Sequence, residues 1–166
     1  MLGLAAGISL LLGSLVLSWW SYADGGLTVS IGLREARMCR AEQGADGCTA
    51  VGLQRLSSSG SVDWLRAGTG SFAAAWMAAI LSLAMAGMGA AGKRSLLLTR
   101  TTLVAALSAA VVGGLFLVWV PADLARQPDL GMVVYFAGVV LAAACAILGL
   151  SVGPNDSRDA ARGAGA

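Results

Sequence analysis

The chain has 166 residues, of which 57% are hydrophobic and 12% charged, and its mean hydropathy is +0.78. A soluble domain carries about 25% charged residues, so this composition points to an α-helical integral membrane protein and excludes disorder over most of the chain. The net charge of +2 is too small and dispersed for a nucleic-acid binder, and the lack of any His excludes His-ligated haem, His zinc sites and Ser-His-Asp chemistry.

Charges fall in blocks, and the gaps between them mark the elements. Met1–Ala23, Ala67–Gly92, Thr101–Ala122 and Leu130–Asn155 carry none. Each gap reaches the roughly 20 apolar residues that cross a bilayer, and only helix satisfies the backbone there. The first predicted span covers about Leu2–Trp20. It lacks a basic leader and a clear cleavage site, so it reads as an uncleaved helix.

The segment 21–67 follows as the one sizeable extramembrane piece. Leu27, Val29, Ile31 and Leu33 alternate with Thr28, Ser30 and Gly32, the period of a half-buried strand. The phase slips near Glu35, with Ala36 and Met38 on the other parity, which predicts one bulged strand over Leu27–Arg40. A returning strand is expected at Thr49–Arg55, after a turn containing Gly44, Asp46 and Gly47. Its Val51 and Leu53 should join the stripe of Leu27, Val29 and Ile31, with Trp20 at the base of the sheet. Two strands alone are marginal in water, so a third strand or the helix tops must cover the apolar face. Val62–Leu65 reads as a short helix feeding the second span.

Cys39 and Cys48 flank the predicted turn. On an oxidising side they would form a structural disulfide. A redox pair would show Cys-x-x-Cys spacing and an activating base, and neither is present. Arg34, Arg37 and Arg40 make a local basic edge, which an unpaired strand would offer to a partner by strand addition. Over the whole loop five Arg face five acids, so no field of one sign is implied.

The remaining spans are expected at about 70–91, 101–120 and 130–152. The loop Lys93–Arg100 holds three basic residues and no acid, which places it, and both termini, in the cytoplasm. Residues 156–166 read as a flexible cytoplasmic tail, leaving 1–155 as a single four-span domain. Trp19, Trp20, Tyr22, Trp64, Trp119 and Tyr135 gather at the opposite ends and read as an interfacial aromatic belt. Met77, Met85 and Met88 read as core packing, with no Cys or His beside them to make a copper site, and Cys145 as a small mid-span packing residue. Small residues recur at four-residue spacing, as at Gly3 and Gly7, Gly87 and Ala91, and Ala142 and Ala146, which lets helix backbones approach closely. No span carries Asp, Glu, Lys or Arg, the residues that announce proton relays and ion sites.

Trp20, Gly32-Leu33, Cys39, Cys48 and then Arg66 at the start of the second span follow one another in an order that resembles the claudin and peripheral-myelin-protein superfamily of tetraspans. Arg34 stands where the family's Gly-Leu-Trp has its Trp. Asp129-Leu130-Gly131 followed by Tyr135 looks like the family's acidic-x-Gly-aromatic approach to its fourth helix, and Trp119 fits the end of its third. The resemblance implies a four-helix bundle carrying a small antiparallel β-sheet pinned by a disulfide. Ten Arg against one Lys, with abundant Ala and Gly, suggest a bacterial member.

The expected function is therefore non-enzymatic: a multi-pass protein of the plasma (inner) membrane that presents its external sheet to other membrane subunits or to itself. The alternatives are an auxiliary subunit of a transporter, channel or respiratory complex, and a membrane thiol-disulfide oxidoreductase. No cofactor, metal or nucleic-acid partner is expected.

Overall fold

The computed structural model describes residues 1–40, 47–52, 62–120 and 128–151. Four helices and one four-stranded sheet follow in chain order. Helix α1 (Leu2–Leu11) continues through a π-helical turn (Leu12–Val16). The strands β1 (Trp20–Asp24), β2 (Leu27–Ile31), β3 (Glu35–Arg40) and β4 (Cys48–Gly52) come next, then α2 (Val62–Ala90), α3 (Leu96–Trp119) and α4 (Leu130–Ser151). Helices α2, α3 and α4 are each long and apolar enough to cross a membrane, whereas Leu2–Val16 is a shorter apolar helix.

The helices form an antiparallel bundle. Helix α1 packs on α2 and α4, and α3 packs on the same two from the other side. Sharp local signals end and start them. Gly92 takes the left-handed conformation (φ 68°) and Lys93 N–H donates to the Met88 carbonyl, which closes α2 with a glycine cap. Ser95 then caps α3, its hydroxyl accepting from Leu98 N–H at 3.3 Å. Helix α3 therefore begins within the predicted Lys93–Arg100 loop, and the predicted short helix near Val62 is the first turn of α2.

Small residues make most of the close contacts in the half of the bundle that holds Met1 and Ser151. A Cβ at Gly3 would lie 2.7 Å from the Ser82 carbonyl, and one at Gly149 would lie 3.0 Å from Thr99. Ala142 and Ala146 are fully buried. The Gly3–Gly7 and Ala142–Ala146 spacings therefore serve packing within the bundle, whereas Gly87 and Ala91 are exposed.

The first helix is shorter than predicted. Leu17 is extended (φ −92°, ψ 139°), and Trp19 N–H donates to the Ile31 carbonyl at 2.7 Å. Backbone pairing with the sheet thus wins over helix continuation, and Trp20 opens β1 instead of ending a span. Asp24-Gly25-Gly26 turns the chain into β2 with both glycines at positive φ (54° and 82°), a conformation that matches the twist of a two-residue hairpin.

The sheet is an antiparallel meander in the order β1-β2-β3-β4. Ile31 pairs with Ala36, and Gly32 N–H donates to the Glu35 carbonyl at 2.9 Å. The predicted bulged strand Leu27–Arg40 is thus a tight hairpin. A reversal with an even number of loop residues, here the four between Ile31 and Ala36, shifts side-chain parity just as a bulge does, so the sequence pattern alone did not separate them. Val29, Ile31 and Ala36 point inward and are buried, with half-buried Leu27, Met38 and Val51 on the same face. The expected stripe is present, except that Leu53 and the end of the predicted strand at Arg55 lie outside the described residues. So do Gly44 and Asp46 of the turn, and the tail 156–166.

Candidate functional site

The sheet sits on the helix ends through a buried aromatic cluster. Trp19 is fully buried, with its ring 4.8 Å from Tyr135 and 5.4 Å from Phe116, centroid to centroid. Its Nε1–H donates to the Gly13 carbonyl at 2.9 Å. The π turn contributes here, because i→i−5 bonding (Leu17 N–H to the Leu12 carbonyl) re-aims the local carbonyls. Trp64 stacks flat on Phe116 at 5.5 Å, and Trp20 lies 5.1 Å from the same ring. Tyr135 donates from its hydroxyl to the Ala109 carbonyl at 3.0 Å. Trp19, Trp20, Trp64 and Tyr135 therefore form a plug rather than the predicted interfacial belt, because the sheet covers them. Trp119 stays 42% exposed, and the Tyr22 side chain lies outside what is described.

Close backbone approach locks the same end. A Cβ at Gly13 would lie 2.7 Å from the Tyr135 nitrogen, and one at Gly131 would lie 2.8 Å from the Leu17 carbonyl. Gly131 N–H donates to the Ser18 carbonyl and Asp129 N–H to the Trp19 carbonyl. Asp129 ties the corner together, accepting from the Ser18 hydroxyl and, at 2.7 Å, from Leu130 N–H. These bonds, the Ser18 one foremost, hold its carboxyl below the usual carboxylate range. The Asp129-Leu130-Gly131 motif thus has a local physical use: a carboxylate anchor beside a glycine that admits a neighbouring carbonyl.

The Gly32-Leu33-Arg34 turn is seated on α2. Leu33 is buried, and its carbonyl comes so close to Gly68 that a Cβ there would lie 2.7 Å away. The Arg34 guanidinium lies 4.8 Å above the centre of the Phe72 ring, a cation–π contact. Gly68 and Phe72 escaped the sequence reading, although their four-residue spacing places them on one helix face.

Cys39 and Cys48 are bridged, as predicted. They are directly opposed in the β3–β4 ladder with Cα atoms 4.0 Å apart, closer than the usual range of about 4.4–6.8 Å. Their parity puts them on the sheet's outer face with Ala23, Thr28, Glu35, Arg37 and Ala50. Cys145 is free, in α4.

The predicted basic edge is not an edge. Strand β3 is paired on both sides, by β2 and β4, so its backbone is not open to strand addition. Arg34 lies in the turn, Arg37 projects from the outer face with its Nε 3.5 Å from Glu35, and Arg40 ends β3 opposite Leu27. The unbroken apolar-to-basic run hid the reversal that puts a partner on each side. Arg66 is exposed on the first turns of α2, 3.9 Å from Asp63.

A cavity of about 540 Å³ opens between the π turn and the outer face, lined by Leu15, Val16, Arg34, Glu35, Arg37 and Phe72 among others. Among the described residues, no three Cys, Asp or Glu side chains gather as a metal site would require. No family model matches this chain, and a comparison with curated proteins finds no relative.

Proposed function

We propose that this chain is a four-span membrane protein of claudin-like architecture, acting without catalysis by presenting its outer sheet face to a neighbouring membrane protein or to a second copy. The observation that carries this reading is the division of the sheet. Its inner face is committed to the aromatic plug, while its outer face, small, polar and exposed, is clamped by the disulfide. A rigid surface costs less ordering entropy on binding than a mobile loop. The bridge joins two ladder strands directly, which suits a clamp.

Membrane insertion is supported by the three long apolar helices and by exposed apolar side chains around the bundle, such as Val104, Val118, Val133 and Val140. The short first helix fits as well. At 1.5 Å per residue Leu2–Val16 rises about 22 Å, and the non-helical Leu17–Trp19 carries the chain on toward the hydrocarbon thickness of about 30 Å. Their backbone is satisfied by Ile31, Asp129 and Gly131, as a non-helical segment at that depth requires. The basic loop at Lys93 supports an orientation with that end in the cytoplasm and the sheet outside.

A photo-crosslinking residue at Thr28 or Ala23, used in native membranes with mass spectrometry of the adducts, tests the interaction. One reproducible protein adduct, or a second copy of the chain, is expected. Adducts to lipid and solvent alone would overturn it. A cysteine placed at Ser95 should resist an impermeant thiol reagent added outside, and its labelling would reverse the orientation.

A further inference from the structure

We infer that the cavity beside the π turn is a binding site for a phospholipid headgroup that carries both a phosphate and a primary ammonium, a phosphatidylethanolamine. The inference rests on the membrane placement proposed above. The cavity's volume of about 540 Å³ falls in the range of small-ligand sites, roughly 300–1,000 Å³. Its charges are of both signs and are laid out in order. Arg34 is fixed over the Phe72 ring and, among the described residues, its N–H edge is not engaged by a carboxylate, so it can fork onto phosphate oxygens. Arg37 adds a second guanidinium from the sheet. Glu35 lines the same cavity and, among the described residues, meets Arg37 in an exposed pair at 3.5 Å, which is weak and easily exchanged.

An anionic headgroup such as phosphatidylglycerol would use the arginines and be repelled by Glu35. The carboxylate, together with the carbonyl-bearing end of the first helix, instead suits an ammonium. A primary ammonium donates three hydrogen bonds, whereas the trimethylated group of phosphatidylcholine donates none. The acyl chains have a track. Ile8, Leu12 and Leu15 are spaced along one side of the first helix, 47%, 42% and 51% exposed, and Val16 at the cavity's lip is 69% exposed.

The test is native mass spectrometry of the full chain released from nanodiscs of dioleoyl-phosphatidylethanolamine, -phosphatidylglycerol and -phosphatidylcholine in equal parts. One phosphatidylethanolamine should be retained about tenfold over phosphatidylcholine, the value of one charge-assisted hydrogen bond. Glu35→Gln should erase that preference without weakening phosphatidylglycerol retention. Arg34→Gln should lower retention of all three, and Arg66→Gln, on an exposed residue outside the cavity lining, should change nothing. A thermal melt of each variant separates loss of the site from loss of the fold. Soluble phosphoethanolamine and inorganic phosphate are added as competitors: displacement by either at low millimolar concentration would identify a free phosphate compound, not a lipid, as the ligand and overturn the proposal. Equal retention of the three lipids by wild type, or no response to Glu35→Gln, would also overturn it. Extraction of the chain by alkaline carbonate without detergent would instead defeat the membrane reading on which it stands.

Discussion

The two ends of the bundle are built from different materials. At the sheet end, large rings fill the space between helices: Trp19, Trp64, Phe116 and Tyr135 are all fully buried, and directional hydrogen bonds to backbone carbonyls fix Trp19 and Tyr135. At the other end glycine close approach recurs without the rings: Gly3 and Gly7 lie against the Ser82 and Ala79 carbonyls, and Ala79, Ala142 and Ala146 are fully buried. Rings and hydrogen bonds define one geometry, as a platform for a rigid sheet requires. Small residues supply dispersion contact over a smooth surface and hold helices together with less angular definition. The molecule is therefore most specified where it meets its sheet.

The sharpest way to break this contrast is Trp19→Ala, which removes the ring at the centre of the plug and the partner of the Gly13 carbonyl. A loss of about 3–5 kcal/mol is expected, read as a large fall in the unfolding temperature in detergent. Next comes the double substitution Cys39→Ser with Cys48→Ser. The closed loop is short, so the chain-entropy estimate gives about 2.5 kcal/mol. The effect should be local: hydrogen exchange should accelerate in β3 and β4 while tryptophan fluorescence, to which the buried Trp19, Trp20 and Trp64 of the plug contribute, stays unchanged. A change in the plug signal would show that the two regions are not separable.

A glycine pair sharpens the comparison. Gly131→Ala forces a Cβ onto backbone carbonyls and should destabilise by about 1–3 kcal/mol. Gly87→Ala meets nothing within 4 Å and should be neutral or stabilise by up to about 1 kcal/mol through helix propensity. Equal effects in thermal melts would contradict the assigned close approach. The smallest effect belongs to Asp129. Its pKa is lowered in the folded state, so its contribution is fully present above the unfolded value of about 3.9 and is lost as pH falls through the lower folded value. The melting difference between wild type and Asp129→Asn should be constant above about pH 5 and shrink below pH 4.

The helices were legible because an apolar gap between charge blocks is a one-dimensional signal. The disulfide was legible because two cysteines bracket turn residues. Strand β1 was missed although Asp24-Gly25-Gly26 is a two-residue hairpin signal, since Trp19 and Trp20 read as the end of a span. The π turn left no such mark. Leu12–Val16 continues the apolar run of α1, and what bends it is Trp19 reaching back to Gly13 and Ile31 drawing the backbone away.

The sequence by itself determined the number and approximate extent of the apolar helices, the sheet's inward stripe and the cysteine pairing. Each of these follows from periodicity or spacing, which are properties of the chain alone. The tertiary structure decided that the aromatics form a plug instead of a belt, that Leu27–Arg40 is two strands with β3 in the interior, and that Arg34, Glu35 and Arg37 share a cavity with the first helix. Those outcomes depend on which surface covers which. A Trp at a helix end is wet or dry, and an arginine free or engaged, according to a neighbour that can lie more than a hundred residues away, as Ser18 and Asp129 do.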